Sequence, residues 1–158
     1  MRIIGIDPGT AIVGYGIVDY NLNESRLVTS GSIQTSKNLS DDKRLAEISD
    51  DLRVIIDKYS PDAASVEKIF FFKNQKTVIS VAQSRGVILS VLAQKSIPVY
   101  EYTPMEIKLS VTGYGKAGKE EVAQMVKRLI EYDYFPKLDD TADAIAMAVC
   151  HIRRTGGV

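Results

Sequence analysis

The sequence predicts a single α/β domain over residues 1–158, a mixed five-stranded sheet with helices on both faces. Three observations predict it. Three short runs rich in Val, Ile, Thr and Tyr open the chain with no helical pattern between them. Longer segments with apolar residues three and four apart then alternate with two more short apolar runs. The chain has 158 residues, 45% hydrophobic and 25% charged, enough for one sizeable core.

The elements follow in order. Residues 2–7 form an apolar run ending in Asp7, and Pro8-Gly9-Thr10 supplies a turn. Residues 13–20 and 27–35 read as the next two strands, so the first three make an antiparallel meander. A helix starts after Ser40, with Asp41 and Asp42 favoured in its first turn. Leu45, Ile48, Leu52, Ile55 or Ile56, and Tyr59 mark its apolar face, and Pro61 stops it. Residues 63–67 form a fourth strand ending in Glu67. A second helix spans 75–95, and a fifth strand spans 97–100. Thr103 with Pro104 opens a short helix. Residues 112–118, Thr-Gly-Tyr-Gly-Lys-Ala-Gly, read as a flexible loop. Helices over 119–131 and 140–154 complete the chain, with Asp139 as the expected cap of the last. A meander followed by βα units gives a mixed sheet. Ligands on such sheets favour strand ends near a topological switch.

Several classes are excluded or disfavoured. The longest stretch free of Asp, Glu, Lys and Arg is 11 residues, Pro8 to Val18, against about 20 for a bilayer span. The N-terminus does not resemble a signal peptide. One cysteine, Cys150, allows neither an internal disulfide nor a multi-thiolate zinc site. The expectation is a cytoplasmic protein with no membrane partner. Net charge is zero, but its distribution is uneven. Residues 19–67 carry net −4 and residues 73–128 net +5, so a neutral chain can present a cationic face to phosphate.

Four carboxylates stand out. Asp7 and Glu67 each end a strand, and Asp140 and Asp143 lie three apart at the start of the last helix. If the first and fourth strands are neighbours and the last helix docks on that edge, all four meet in one pocket. Each has an ordinary reading too: a turn at Asp7-Pro8-Gly9, an exposed strand end at Glu67, a helix cap near Asp140. Asp143 is the hardest to set aside, because Ala142, Ala144, Ile145 and Ala146 surround it. Converging anions repel and resist desolvation. Oxygen-only ligation suits Mg²⁺, with Mn²⁺ as a substitute. Two such ions about 3.5–4 Å apart serve phosphodiester cleavage.

These residues resemble the RuvC Holliday-junction resolvases. The resemblance runs through Ile3-Ile4-Gly5-Ile6-Asp7-Pro8-Gly9-Thr10 with Gly14-Tyr15-Gly16, then Val66-Glu67-Lys68-Ile69-Phe70 with Lys73-Asn74. It continues in Ala82-Gln83-Ser84-Arg85-Gly86 and in Asp140-Thr141-Ala142-Asp143-Ala144-Ile145-Ala146, and so covers nearly the whole chain. It implies a ribonuclease-H-like fold and a homodimeric, Mg²⁺-dependent endonuclease that makes paired symmetric nicks in four-way DNA junctions. It implies Asp7, Glu67, Asp140 and Asp143 as catalytic metal ligands, two ions per site, and branch-migration partners RuvA and RuvB. Phe70, Lys73, Asn74, Lys108, Lys116 and Lys119 are the implied DNA contacts. Phe71 and Phe72 leave open which ring meets the DNA.

Two other readings stand beside this one. An RNA-processing nuclease of the same fold would keep the carboxylates. An actin-like phosphate-binding ATPase would share the Asp7-Pro8-Gly9-Thr10 loop, but it needs a longer chain and a second such loop. The helix over 75–95 is the candidate dimer interface, through Val87, Ile88, Val91 and Leu92. His151, about 12 Å along the axis from Asp143, reads as structural or as a distant DNA contact, and Cys150 as core.

Overall fold

The computed structural model describes residues 1–68, 75–135 and 141–156. One five-stranded sheet runs in the order β3-β2-β1-β4-β5. Its strands are β1 (Arg2–Asp7), β2 (Ile12–Asn21), β3 (Glu24–Gln34), β4 (Ala63–Glu67) and β5 (Val99–Tyr102). β1 pairs antiparallel with β2 and parallel with β4, which puts Ile6 opposite Val66 and so Asp7 beside Glu67. The helices are α1 (Asp41–Tyr59), α2 (Gln75–Gln94), α3 (Pro104–Thr112), α4 (Lys119–Leu129) and α5 (Ala142–Thr155).

Alternation along β1 divides the core between the two faces. Ile4 and Ile6 join Ile48 and Leu52 of α1 and Ile88 and Leu92 of α2 on one side. Ile3 joins Ile145 and Val149 of α5, with α3 and α4 outside them, on the other.

A row of small residues crosses the sheet beneath α5. Gly16, Gly5 and Ser65 are register partners on β2, β1 and β4. A Cβ on Gly5 would collide with the Ala144 carbonyl oxygen, and one on Gly16 would sit 2.6 Å from Cγ1 of Ile145. Ser65 donates to the Met147 carbonyl at 2.8 Å. The two glycines bring the α5 backbone onto the strands, and the serine bonds to it there. That close approach carries Asp143 to the sheet end where Asp7 and Glu67 stand.

Some boundaries differ from expectation, for local reasons. β5 begins at Val99 rather than Ile97. Pro98 has no N–H for the ladder, and the Ile97 N–H is spent on the Leu92 carbonyl at the end of α2. α5 begins at Ala142, with Thr141 at its cap position. Asp139, the expected cap, lies outside the described residues. α4 ends at Leu129, because Glu131 pairs with the β3 edge through Ser25 and Leu27. The segment 112–118 is a hydrogen-bonded turn. Gly113 takes φ 80° as the α3 cap, and Thr112 Oγ1 accepts from the Tyr114 N–H at 3.0 Å.

The expected interface residues on α2 prove largely internal. Ile88, Val91 and Leu92 are buried against the sheet, and Val87 packs on the same core. The opposite side of the helix carries Ile79, Ala82, Gly86, Leu89 and Ala93. Ile79 is 69% exposed, and a Cβ on Gly86 would meet nothing within 4 Å. Apolar on both sides, the stretch Thr77–Gln94 is long and apolar enough to cross a membrane. Counting charge-free runs missed it because Arg85 interrupts it. Its inner face is sheet core.

Candidate active site

Three of the four expected carboxylates fall among the described residues, and all three come to one end of the sheet. Asp7 and Glu67 end adjacent parallel strands, and Asp143 sits in the first turn of α5. Burial, then the neighbouring Asp143 carboxylate, push Asp7 up to about 6. Burial, then Asp7 and Asp143, push Glu67 up to about 7. Among the described residues, no three Asp, Glu, His or Cys side chains close tightly enough to enclose an ion. Asp140 lies outside them.

Cations answer this negative field. Lys119 Nζ is 3.3 Å from Oδ2 of Asp143. The Asp143 carboxylate, with smaller contributions from Asp7 and Glu67, holds the Lys119 ammonium above its ordinary range. A lysine in the first turn of α4 opposes the helix dipole, so the carboxylates rather than the helix account for its place. Lys108 on α3 also acts on Glu67 through its charge. Lys116 is exposed between α3 and α4, and no described contact joins it to the carboxylates. Phe70, Lys73 and Asn74 lie outside the described residues, as do Phe71 and Phe72.

The donor chemistry fits a hard divalent cation. Among the described residues the convergent side chains at this end that could ligate a cation are the three carboxylates, and the burial and like-charge repulsion that raise the Asp7 and Glu67 pKa values are penalties that such a cation would relieve. His151 is no part of it. It is buried at the other end of α5, hydrogen-bonded through Nδ1 to the Tyr102 hydroxyl at 2.8 Å, and burial lowers its pKa. Cys150 is core as expected.

Sequence reasoning quoted Ser84 and Arg85 within a motif but gave neither a role at the site. Ser84 Oγ donates to the Gly9 carbonyl at 2.7 Å, and Arg85 Nε donates to the Glu67 carbonyl at 3.2 Å. The signal for Arg85 was available: a lone arginine midway along an otherwise uncharged 18-residue stretch.

Comparison with known proteins identifies the family. A family model described as crossover junction endodeoxyribonuclease RuvC matches residues 3–151. The crossover junction endodeoxyribonuclease RuvC of Fusobacterium nucleatum is 50% identical over 156 residues, covering 99% of this chain and 82% of that one. That of Caldicellulosiruptor saccharolyticus is 44% identical over 159 residues, covering 100% and 96%. Among solved structures, Thermus thermophilus RuvC in complex with Holliday junction substrate matches with a TM-score of 0.90 and 31% identity, over 99% of this chain and 97% of that one. The yeast mitochondrial Holliday junction resolvase Ydc2, at 16% identity and a TM-score of 0.71, shares the fold. The mixed, ribonuclease-H-like sheet expected from sequence is the one found. Matched by the family model over residues 3–151 and by these relatives over nearly its full length, the chain belongs to the crossover junction endodeoxyribonuclease RuvC family.

Proposed function

We propose that this chain is a structure-selective endonuclease that resolves four-way DNA junctions by paired symmetric nicks. The observation that carries it is the meeting of Asp7, Glu67 and Asp143 beside Lys119, in a chain of this family. Asp140, two residues before α5, completes the proposed ligand set. When bound, a pair of Mg²⁺ ions, or Mn²⁺ in their place, supplies an activated water and charge stabilisation at the leaving oxygen. The four carboxylates hold that pair. Lys119, Lys108 and Lys116 take the phosphates flanking the scissile bond. Lys73 and Asn74 extend that contact, and Phe70 offers a ring on which an unpaired junction base stacks.

A junction with two-fold symmetry calls for two active sites related by a matching axis. The outward face of α2 supports a homodimer. Ile79, Ala82, Gly86, Leu89 and Ala93 form an apolar, small-residue stripe that faces away from the sheet, with Ile79 exposed and nothing among the described residues within 4 Å of a Cβ on Gly86. The work belongs in the cytoplasm, on junctions delivered by the branch-migration proteins RuvA and RuvB. The test is incubation in Mg²⁺ with a synthetic four-way junction, a linear duplex of the same sequence and a structured RNA, with nicks mapped on every strand. Paired nicks confined to the junction are expected. Cleavage of the RNA alone would transfer the chain to RNA processing.

A further inference from the structure

α2 reaches both carboxylate-bearing strand ends with consecutive side chains. Ser84 is fully buried, and its hydroxyl donates to the Gly9 carbonyl at 2.7 Å, two residues beyond Asp7. Gly9 sits in a turn so tight that a Cβ there would strike the Ile12 carbonyl oxygen. Arg85 donates through Nε to the Glu67 carbonyl at 3.2 Å, and the rest of its guanidinium is ion-paired with Glu101. Glu101 lies on β5 as the register partner of Val66, next to Glu67. The Arg85 side chain is only 17% exposed, so its reach is constrained on both sides.

Among the described residues, neither side chain bonds to a carboxylate of the site. Each bonds to the main chain at or near one. A hydroxyl could anchor a helix to many acceptors. Here two adjacent residues choose the Gly9 carbonyl, two residues past Asp7, and the carbonyl of Glu67 itself. The guanidinium's planar fork suits this task, with one edge on a main-chain oxygen and the other on a fixed carboxylate.

We propose that Ser84 and Arg85 are positioning residues that set the spacing of Asp7 and Glu67 through their main chain, with Glu101 holding Arg85 in register. This deepens the function proposed above and rests on it for the identity of the ions. It also ties the metal site to the helix whose outer face is assigned to the dimer.

The test uses the full chain, freed of metal. Mn²⁺ affinity is read by electron paramagnetic resonance of the unbound ion, without DNA. Junction affinity is read without divalent metal, and single-turnover cleavage in Mg²⁺. Outer partners of metal ligands typically govern affinity or rate by about 10- to 100-fold. Losses of that size are expected in Mn²⁺ affinity or cleavage rate for Ser84→Ala and Arg85→Gln, with junction affinity unchanged. Arg85→Lys keeps the charge and loses the fork, so it recovers only part of the loss. Ser84→Cys, a weaker donor, falls between. Glu101→Gln gives a smaller loss of the same kind. Lys95→Gln, which breaks an ion pair with Asp57 just beyond α2, leaves both readouts alone. If Ser84→Ala or Arg85→Gln fails to fold, Ser84→Cys and Arg85→Lys decide. Variants that melt earlier but keep Mn²⁺ affinity and cleavage rate per folded molecule overturn the proposal. A wild-type chain that binds Mn²⁺ without cutting junctions defeats the proposed function, and the Mn²⁺ arm still judges the positioning role. A wild-type chain that does not bind Mn²⁺ overturns both.

Discussion

The two ends of α5 bury polar chemistry in opposite ways. At the C-terminal end His151, Arg154 and Thr155 each find an internal partner. His151 bonds to the Tyr102 hydroxyl, Arg154 pairs with Glu106, and Thr155 donates to the His151 carbonyl. At the N-terminal end the chain gathers Asp143 with Asp7 and Glu67 and leaves them facing one another, with Lys119 and, at Glu67, Lys108 in reply. Thr141, at the cap position, has a buried hydroxyl with no hydrogen-bond partner among the described residues. The same helix therefore has a satisfied, structural end and an unsatisfied one. Unrelieved repulsion is costly, and its persistence at one place marks where a ligand belongs.

The sharpest way to break this comparison is to remove the repelling groups. Asp7→Asn and Glu67→Gln should each cut single-turnover junction cleavage by about a thousandfold or more. Junction affinity should hold, since less negative charge near phosphate weakens no attraction. His151→Gln, at the other end, should leave cleavage per folded molecule near wild type.

Much of this was legible in the sequence because strand ends and helix starts are local signals. Asp7 and Glu67 close short apolar runs, and Asp143 interrupts an alanine-rich helix. What joins them is not local. The β1–β4 pairing entered only as a condition, and the alignment of Gly16, Gly5 and Ser65 under α5 depends on cross-strand register, which periodicity does not reveal. α2 was misread by face for a related reason. Apolar residues surround it, and only the sheet's position says which side is core. Asp140, Phe70, Lys73 and Asn74 lie outside the described residues, and their roles stay proposals.

Dimer disruption comes next in size. An unpaired carboxylate buried in an interface costs about 3–5 kcal/mol. Leu89→Asp or Ile79→Asp should therefore yield a monomer in sedimentation at micromolar concentration and replace paired nicks with single ones. The docking of α5 can be tested through Gly5→Ala. Its Cβ meets the α5 main chain, so overpacking should cost about 3 kcal/mol in chemical denaturation. Lys108→Ala and Lys119→Ala should each flatten the salt dependence of junction binding by about 0.9 in log–log slope.

The smallest effect distinguishes the two ends by sign. In the metal-free chain, Asp7 and Glu67 have raised folded-state values of about 6 and about 7. Their stabilising contribution is complete below the ordinary carboxylate range and disappears as pH rises to about 7. His151 is lowered from its ordinary 6.5 by burial. Its contribution is present above 6.5 and is lost as pH falls. Thermal melts in chelator should show Asp7→Asn lessening the gain in stability on acidification. His151→Gln should lessen the acid loss.

On this reading the N-terminal end of α5 completes a metal-binding catalytic site. Asp143→Asn tests it most directly, assayed for four-way junction binding and for single-turnover cleavage across a Mg²⁺ titration. Junction affinity should stay within about twofold of wild type, and cleavage should fall to background at every Mg²⁺ concentration. Cleavage at the wild-type rate would contradict it.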